Sequence, residues 1–226
     1  MTVMQKFATT APIAAILDIP AGRIRIIAAD QSHTTVAVKA ADPAKSRDVK
    51  AADHTTVSYD NGVLRIEAAP AGNQYFGSSG ALDVTVELPA GSRIEAKTAG
   101  AEFRTVGRLG DVDFDGAHGT VELDETAGLR LGVHAGDVSV GRLAGDSEIR
   151  VSSGDITITE AQHGTLKLRT ESGRITVGAA RGTSATLDAG TSHGRIHNAL
   201  THTEGAAAAL NIHATTASGD ITARSL

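Results

Sequence analysis

From about residue 93 to the end, apolar and polar residues alternate in short runs, and each pair of runs is separated by a glycine at Gly100, Gly119, Gly136, Gly154, Gly173, Gly194 and Gly219. The intervals are 19, 17, 18, 19, 21 and 25 residues. Two places after the glycine stand Val121, Val138, Ile156, Ile175, Ile196 and Ile221; four places after it stand Leu123, Val140, Ile158, Val177, Asn198 and Ala223. Residues two apart share one face of a strand. Five and seven places before the glycine a second set of columns holds Phe114 with Val112, Leu131 with Leu129, Leu168 with Leu166, Ala189 with Leu187 and Ala214 with Ile212. Each copy therefore predicts strand, glycine bend, strand, as in Ser152-Ser153-Gly154-Asp155-Ile156-Thr157-Ile158.

One copy cannot bury its own apolar face, whereas stacked copies can, each strand pairing in parallel with its equivalent in the next. A period near twenty residues thus predicts an all-β fold, a single-chain parallel β-solenoid or β-helix of about seven coils over residues 91–226. Glycine suits the bend because it takes positive φ without steric cost, and a neighbouring Ser or Asp can hydrogen-bond the turning backbone.

Residues 1–90 predict a β-rich cap continuous with those coils. Ile16–Ile19 and Arg23–Ile27 flank Pro20-Ala21-Gly22, Thr34–Lys39 forms another strand, and Ala81–Leu88 leads through Pro89-Ala90-Gly91 into the first coil. Asn61-Gly62 between Thr55–Tyr59 and Val63–Ala68 is a strong hairpin signal. Asp42-Pro43 places an N-cap residue and a helix-initiating proline ahead of a polar stretch to Ala52, which reads as a short surface helix whose apolar face rests on little more than Val49, or as a solvated connection.

Composition narrows the function. Aromatics make up only 3% of 226 residues while glycine reaches 25, which suits a narrow interior between closely stacked strands and not a bulky enzyme pocket. With no cysteine there is no disulfide framework, thiolate metal site or cysteine nucleophile. A net charge of −5 with both signs interspersed offers no basic stripe for nucleic acid. The apolar run Ile13–Leu17 is too short for a signal-peptide core, and no run reaches the length of a membrane span, so a cytoplasmic protein is expected.

Candidate chemistry is sparse. Asp137 and Asp155, in the column directly after the glycine with Arg174, Arg195 and Asp220, form a carboxylate pair of the kind a carbohydrate-active or metal-dependent enzyme uses. The next member of the column is an arginine able to pair with Asp155, so a solvated charge ladder accounts for it as well. His193, His197 and His202 are close in sequence, but His193 falls at a bend, His197 on an outward strand position, His202 in the insertion Thr201–Ala209, and His118 four coils away. Thr157, Thr176 and Thr222 miss too many coils for a regular threonine array, and Ser153, Ser172 and Ser218 lack a His and an acid in register. No catalytic, cofactor or metal residue is assigned.

Two contacts for a partner stand out. Tyr75 and Phe76 sit in the loop 69–80, which suits either an exposed contact, for a protein or a small molecule, or a plug folded back on the cap. The last strand, with Asp220, Ile221, Thr222 and Ala223, has nothing after it to act as a cap, so its free backbone groups predict an edge for strand addition by another protein or a second copy. Two irregularities accompany these: Ile94 and Phe103 are one place out of step with the first glycine, and the copy around Gly194 carries Ala189 and Asn198 where others carry larger apolar residues.

Leu17-Asp18-Ile19-Pro20-Ala21-Gly22-Arg23-Ile24-Arg25-Ile26, Val84-Thr85-Val86-Glu87-Leu88-Pro89-Ala90-Gly91 and the Ser-Gly-Asp-Ile-Thr-Ile copies together resemble the bacterial β-strand-repeat proteins labelled "putative adhesin", a domain of unknown function. The resemblance covers nearly the whole chain. It implies a right-handed parallel β-solenoid and an adhesin-like binding or scaffold role, and brings no catalytic motif. Members include secreted, surface-anchored and envelope-stress forms; actinobacterial cytoplasmic versions look most similar.

Overall fold

The structure is a computed structural model that describes residues 3–68, 80–201 and 207–226. Among these are nineteen strands and one helix, divided into two compact units, Met1–Gly119 and Thr120–Leu226. The expected border at 90/91 lies inside the first unit.

The first unit runs β1 (Val3–Ala8), β2 (Ala14–Asp18), β3 (Ala21–Ala29), β4 (His33–Ala40), α1 (Ser46–Asp53), β5 (Thr56–Asp60), β6 (Val63–Glu67), β7 (Leu82–Pro89), β8 (Arg93–Val106) and β9 (Arg108–His118). Two ladders result. One is ordered β1, β4, β7, β3 and the second half of β8. The other is ordered β5, β6, β2, the first half of β8 and β9. Pairing is antiparallel at β1–β4, β4–β7 and β5–β6 and parallel elsewhere in the two ladders.

The alternation read from the sequence is the alternation of burial: Leu17, Ile24, Ile26, Val84, Val86, Ile94 and Phe103 all point inward. Phe103 stacks on Phe114 with ring centroids 5.0 Å apart. The hairpin forms as expected, with Asn61 and Gly62 at φ 48° and 78° between β5 and β6, the positive values a two-residue type I′ turn needs. The strands flanking Pro20-Ala21-Gly22 do not pair with each other; β2 and β3 each lie beside a different half of β8.

That placement explains why the first copy looked out of step. Gly119 stacks on Ala101, and a Cβ at Gly119 would collide with the Ala101 carbonyl. Counted from Ala101, Ile94 is seven places before and Phe103 two places after, the same offsets as in later copies. The first marker is thus an alanine, and Gly100 is its neighbour.

The helix begins later than Asp42-Pro43 suggests. The Asp42 carboxylate accepts a hydrogen bond from Ala44 N at 2.9 Å and faces Lys45 Nζ at 3.3 Å, closing a turn before α1. The backbone N–H of Ala44, more than Lys45, holds that carboxyl below the usual range. The residues α1 buries are Asp48 and Ala52, not Val49, and Asp48 Oδ1 accepts Ala81 N at 3.1 Å, which ties the helix to the start of β7.

The second unit contains β10 (Val121–Ala135), β11 (Val138–Leu143), β12 (Ser147–Ser153), β13 (Ile156–Ala161), β14 (Gly164–Ser172), β15 (Ile175–Ala179), β16 (Ala185–His193), β17 (Ile196–Ala199), β18 (Leu210–Ser218) and β19 (Ile221–Ser225). The pairings among these strands are parallel, in two ladders. The first is the second half of β10, then β12, β14, β18 and β16. The second is the first half of β10, then β11, β13, β15, β19 and β17.

Both ladders depart from chain order at the same place: the last copy, β18–β19, lies between β14–β15 and β16–β17. Burial gives the reason. Leu210, Ile212 and Ile221 are at most 1% exposed, whereas Ile196 is 46% exposed and Asn198 is open to solvent. An interior position gives full burial to three large aliphatic side chains, each contributing about 1.5–3 kcal/mol, and leaves the poorer set at the rim. The connection 200–209 supplies the chain length to step back.

Candidate functional site

At the bends the side chains are committed to structure. Gly119, Gly136, Gly154, Gly173 and Gly219 have φ between 132° and 155°. Their backbones approach so closely that a Cβ at Gly154, Gly173, Gly219 or Gly194 would meet the carbonyl of Gly136, Gly154, Gly173 or Gly219 respectively. Three places before the glycine, the hydroxyls of Thr170, Thr216 and Thr191 donate to the carbonyls of Gly154, Gly173 and Gly219, each at 3.1 Å. This threonine column repeats at a fixed offset in the sequence and was not read there as a bend support.

The aspartates after the glycine do parallel work. Asp137 Oδ1 accepts Asp155 N at 2.8 Å, Asp155 Oδ1 accepts Arg174 N at 2.7 Å, and Asp220 Oδ1 accepts Arg195 N at 2.8 Å. Each carboxylate ties its bend to the next, as an N-cap side chain satisfies a helix end. The Arg174 backbone, not its guanidinium, is what Asp155 binds. We expect Asp155→Ala to cost about 1 kcal/mol and Asp155→Asn, which keeps an acceptor oxygen, a few tenths, measured as shifts in urea midpoint.

The histidines are dispersed. His193 on β16 stands opposite Ser218, His197 on β17 stands opposite Thr222, and His118 ends β9 in the first unit. His202 lies outside the described residues, as do Tyr75 and Phe76. Among the described residues, no group of three His, Asp or Glu side chains comes together as a metal site.

The expected strand-addition edge is corrected. Ile221, Thr222 and Ala223 pair with Ile175, Thr176 and Val177 on one side and with Ile196, His197 and Asn198 on the other. Ile221 N donates to Arg195 O at 2.9 Å, and Asp220 O accepts Ile175 N at 3.0 Å, so Asp220–Ala223 has no free edge. Among the described residues, β16 and β17 each have one ladder neighbour only, and at the start of β16 the Ala185 N–H donates to Thr201 O at 3.4 Å. The small and polar residues there, Ala189 and Asn198, were the visible sequence signal; what they mark is a rim.

On the outward face of the first unit, strands β4, β7, β3 and β8 form a depression of about 410 Å³. Its charges come from residues far apart in the chain: Lys39, Asp83, Arg23, Arg25, Glu102 and Arg104. Arg23 Nη2 lies 3.3 Å from Asp83 Oδ2. Nothing in the sequence order announces this grouping.

Residues 16–225 match the model of the family described as Toastrack DUF4097. A crystal structure of a "putative adhesin" from Bacteroides fragilis is similar over 99% of this chain and 97% of its own, with 12% identity and a TM-score of 0.58. Another, a "putative adhesin" from Parabacteroides distasonis, is similar over 98% and 97%, with 15% identity and a TM-score of 0.50. At these identities the likeness is one of fold. No curated protein matches the chain.

Proposed function

The chain belongs to the Toastrack DUF4097 family, and from that footing we propose that it is a non-enzymatic, adhesin-like β-solenoid scaffold that binds a protein partner or a second copy by strand addition. The reading takes the stacked copies as coils of a right-handed solenoid closed by β-rich structure toward the N-terminus. The observation that carries it is the rim at β16 and β17, where, among the described residues, one coil lacks a second ladder neighbour and presents a half-exposed Ile196. Such edges are templates for pairing. Neither β16 nor β17 carries the lysine or proline that commonly blunts one.

A carbohydrate-active or metal-dependent enzyme using Asp137 and Asp155 is less well supported, because each of these carboxylates already accepts a backbone N–H of the neighbouring bend. Tyr75 and Phe76 are further proposed contacts on sequence grounds alone.

Light scattering across a concentration series tests the rim. The parent protein is expected to rise above its monomer mass, or to bind an added β-strand partner, and Ile196→Lys with Leu187→Lys is expected to abolish both. A parent that stays monomeric at every concentration and a double variant that binds partners as well as the parent does would sink the proposal.

A further inference from the structure

We propose that the depression on the outer face of β4, β7, β3 and β8 is a binding site for a phosphate monoester on a small polar molecule. The sheet register sorts its residues into rows. In one row Lys39 stands opposite Asp83, Asp83 opposite Arg23, and Arg23 opposite Glu102, so the signs alternate and largely cancel. In the next row the order is Ala37, Thr85, Arg25 and Arg104, with no carboxylate at all. Arg25 and Arg104 stand on adjacent strands, about 5 Å apart at the backbone, so two guanidiniums share this row.

In the row beyond it Ile27 and Val106 are apolar, and the Glu87 carboxylate accepts the Thr35 hydroxyl at 3.1 Å. Arg104 has a partner of its own and contributes its charge. Arg25 makes no ion pair among the described residues, and the Thr85 hydroxyl beside it makes no hydrogen bond there. A planar guanidinium fork next to a free hydroxyl is a donor set for a tetrahedral oxyanion.

Charge and size select the ligand class. Among the residues lining the depression, four cations stand against two carboxylates, in a chain whose net charge is −5. A phosphate monoester carries about −1.5 to −2 at neutral pH, which matches. The volume of about 410 Å³ exceeds what a bare ion fills and falls within the range of small-molecule sites. The small side chains Ala37 and Thr85 and the polar walls suit a sugar-sized body and not an acyl chain.

Calorimetric and NMR titrations of the full chain would use glucose 6-phosphate, inorganic phosphate, glucose, and vesicles containing phosphatidic acid. We expect saturable binding of glucose 6-phosphate, competition by inorganic phosphate and no response to glucose. Arg25→Gln should weaken binding about tenfold or more, as the loss of a charge-assisted contact does, with Arg25→Lys between. Arg130→Gln, an exposed arginine of the other unit, should leave it unchanged, and all variants should keep the parental unfolding midpoint. Vesicle binding that glucose 6-phosphate displaces also supports the site and identifies a lipid headgroup as its source. No saturable binding of any phosphate monoester, equal loss in Arg25→Gln and Arg130→Gln, or vesicle binding that neither soluble phosphate displaces would overturn the proposal.

Discussion

Gly173→Ala should lower the stability of the protein by at least about 3 kcal/mol, while Gly190→Ala should change it by less than about 0.5 kcal/mol. Both add a single methyl group. At Gly173, with φ 155°, that methyl would run into the carbonyl of Gly154 and approach the backbone of Asp155. Two costs add there: a backbone conformation that L-residues rarely adopt, about 1–3 kcal/mol, and separation of two bends that cannot yield independently. The second cost spreads, because Gly173 N also donates to Ser218 O at 2.9 Å and the Thr216 hydroxyl rests on the Gly173 carbonyl. Gly190 has open space where its Cβ would be and no positive φ, so the methyl meets nothing. Equilibrium urea unfolding of the two variants beside the parent separates these cases. Equal midpoints would mean that the bends are not in close backbone contact.

That glycine column is also the part of the fold most legible in the sequence. A residue type demanded by close backbone approach recurs at an almost constant interval, and the inward pairs at fixed offsets, such as Ile156 with Ile158, follow it. The Asn61-Gly62 hairpin was legible for a similar reason, since its turn geometry needs particular residues. The order of the last two copies was not. Ile221 can stack on Ile175 or on Ile196 with the same register, so the columns are the same for either order; only the total apolar burial distinguishes them. The weaker copy at Ala189 and Asn198 held that information, and it reads as a rim once burial is weighed in place of chain position.

The charged depression was hidden for a different reason. Arg25 and Arg104 are brought side by side, and Lys39 and Asp83 next to them, by a strand order in which β3 lies between β7 and β8. Each residue sits on its own strand as an ordinary outward-facing polar position, so alternation identifies it only as exposed. Long-range strand order, which local pattern does not encode, creates the grouping.

The order of the last copies makes the second large prediction. Ile221→Ala should cost about 2–4 kcal/mol, and Ile196→Ala less than about 1 kcal/mol, although the two isoleucines occupy the same place in their copies. Ile221 is 1% exposed between Ile175 and Ile196, so its truncation leaves a cavity walled on both sides. Ile196 is 46% exposed and, among the described residues, has a ladder neighbour on one side only, so solvent fills what truncation vacates. Were the copies stacked in chain order, Ile196 would be the interior residue and Ile221 the terminal one, and the two costs would exchange. A proline at Ile221 sharpens the contrast, because it also deletes the N–H that bonds Arg195 O and would break the second ladder between its last two strands. The two alanine variants, unfolded in urea under identical conditions, therefore read the spatial order of the strands directly: the isoleucine whose loss costs more is the one inside.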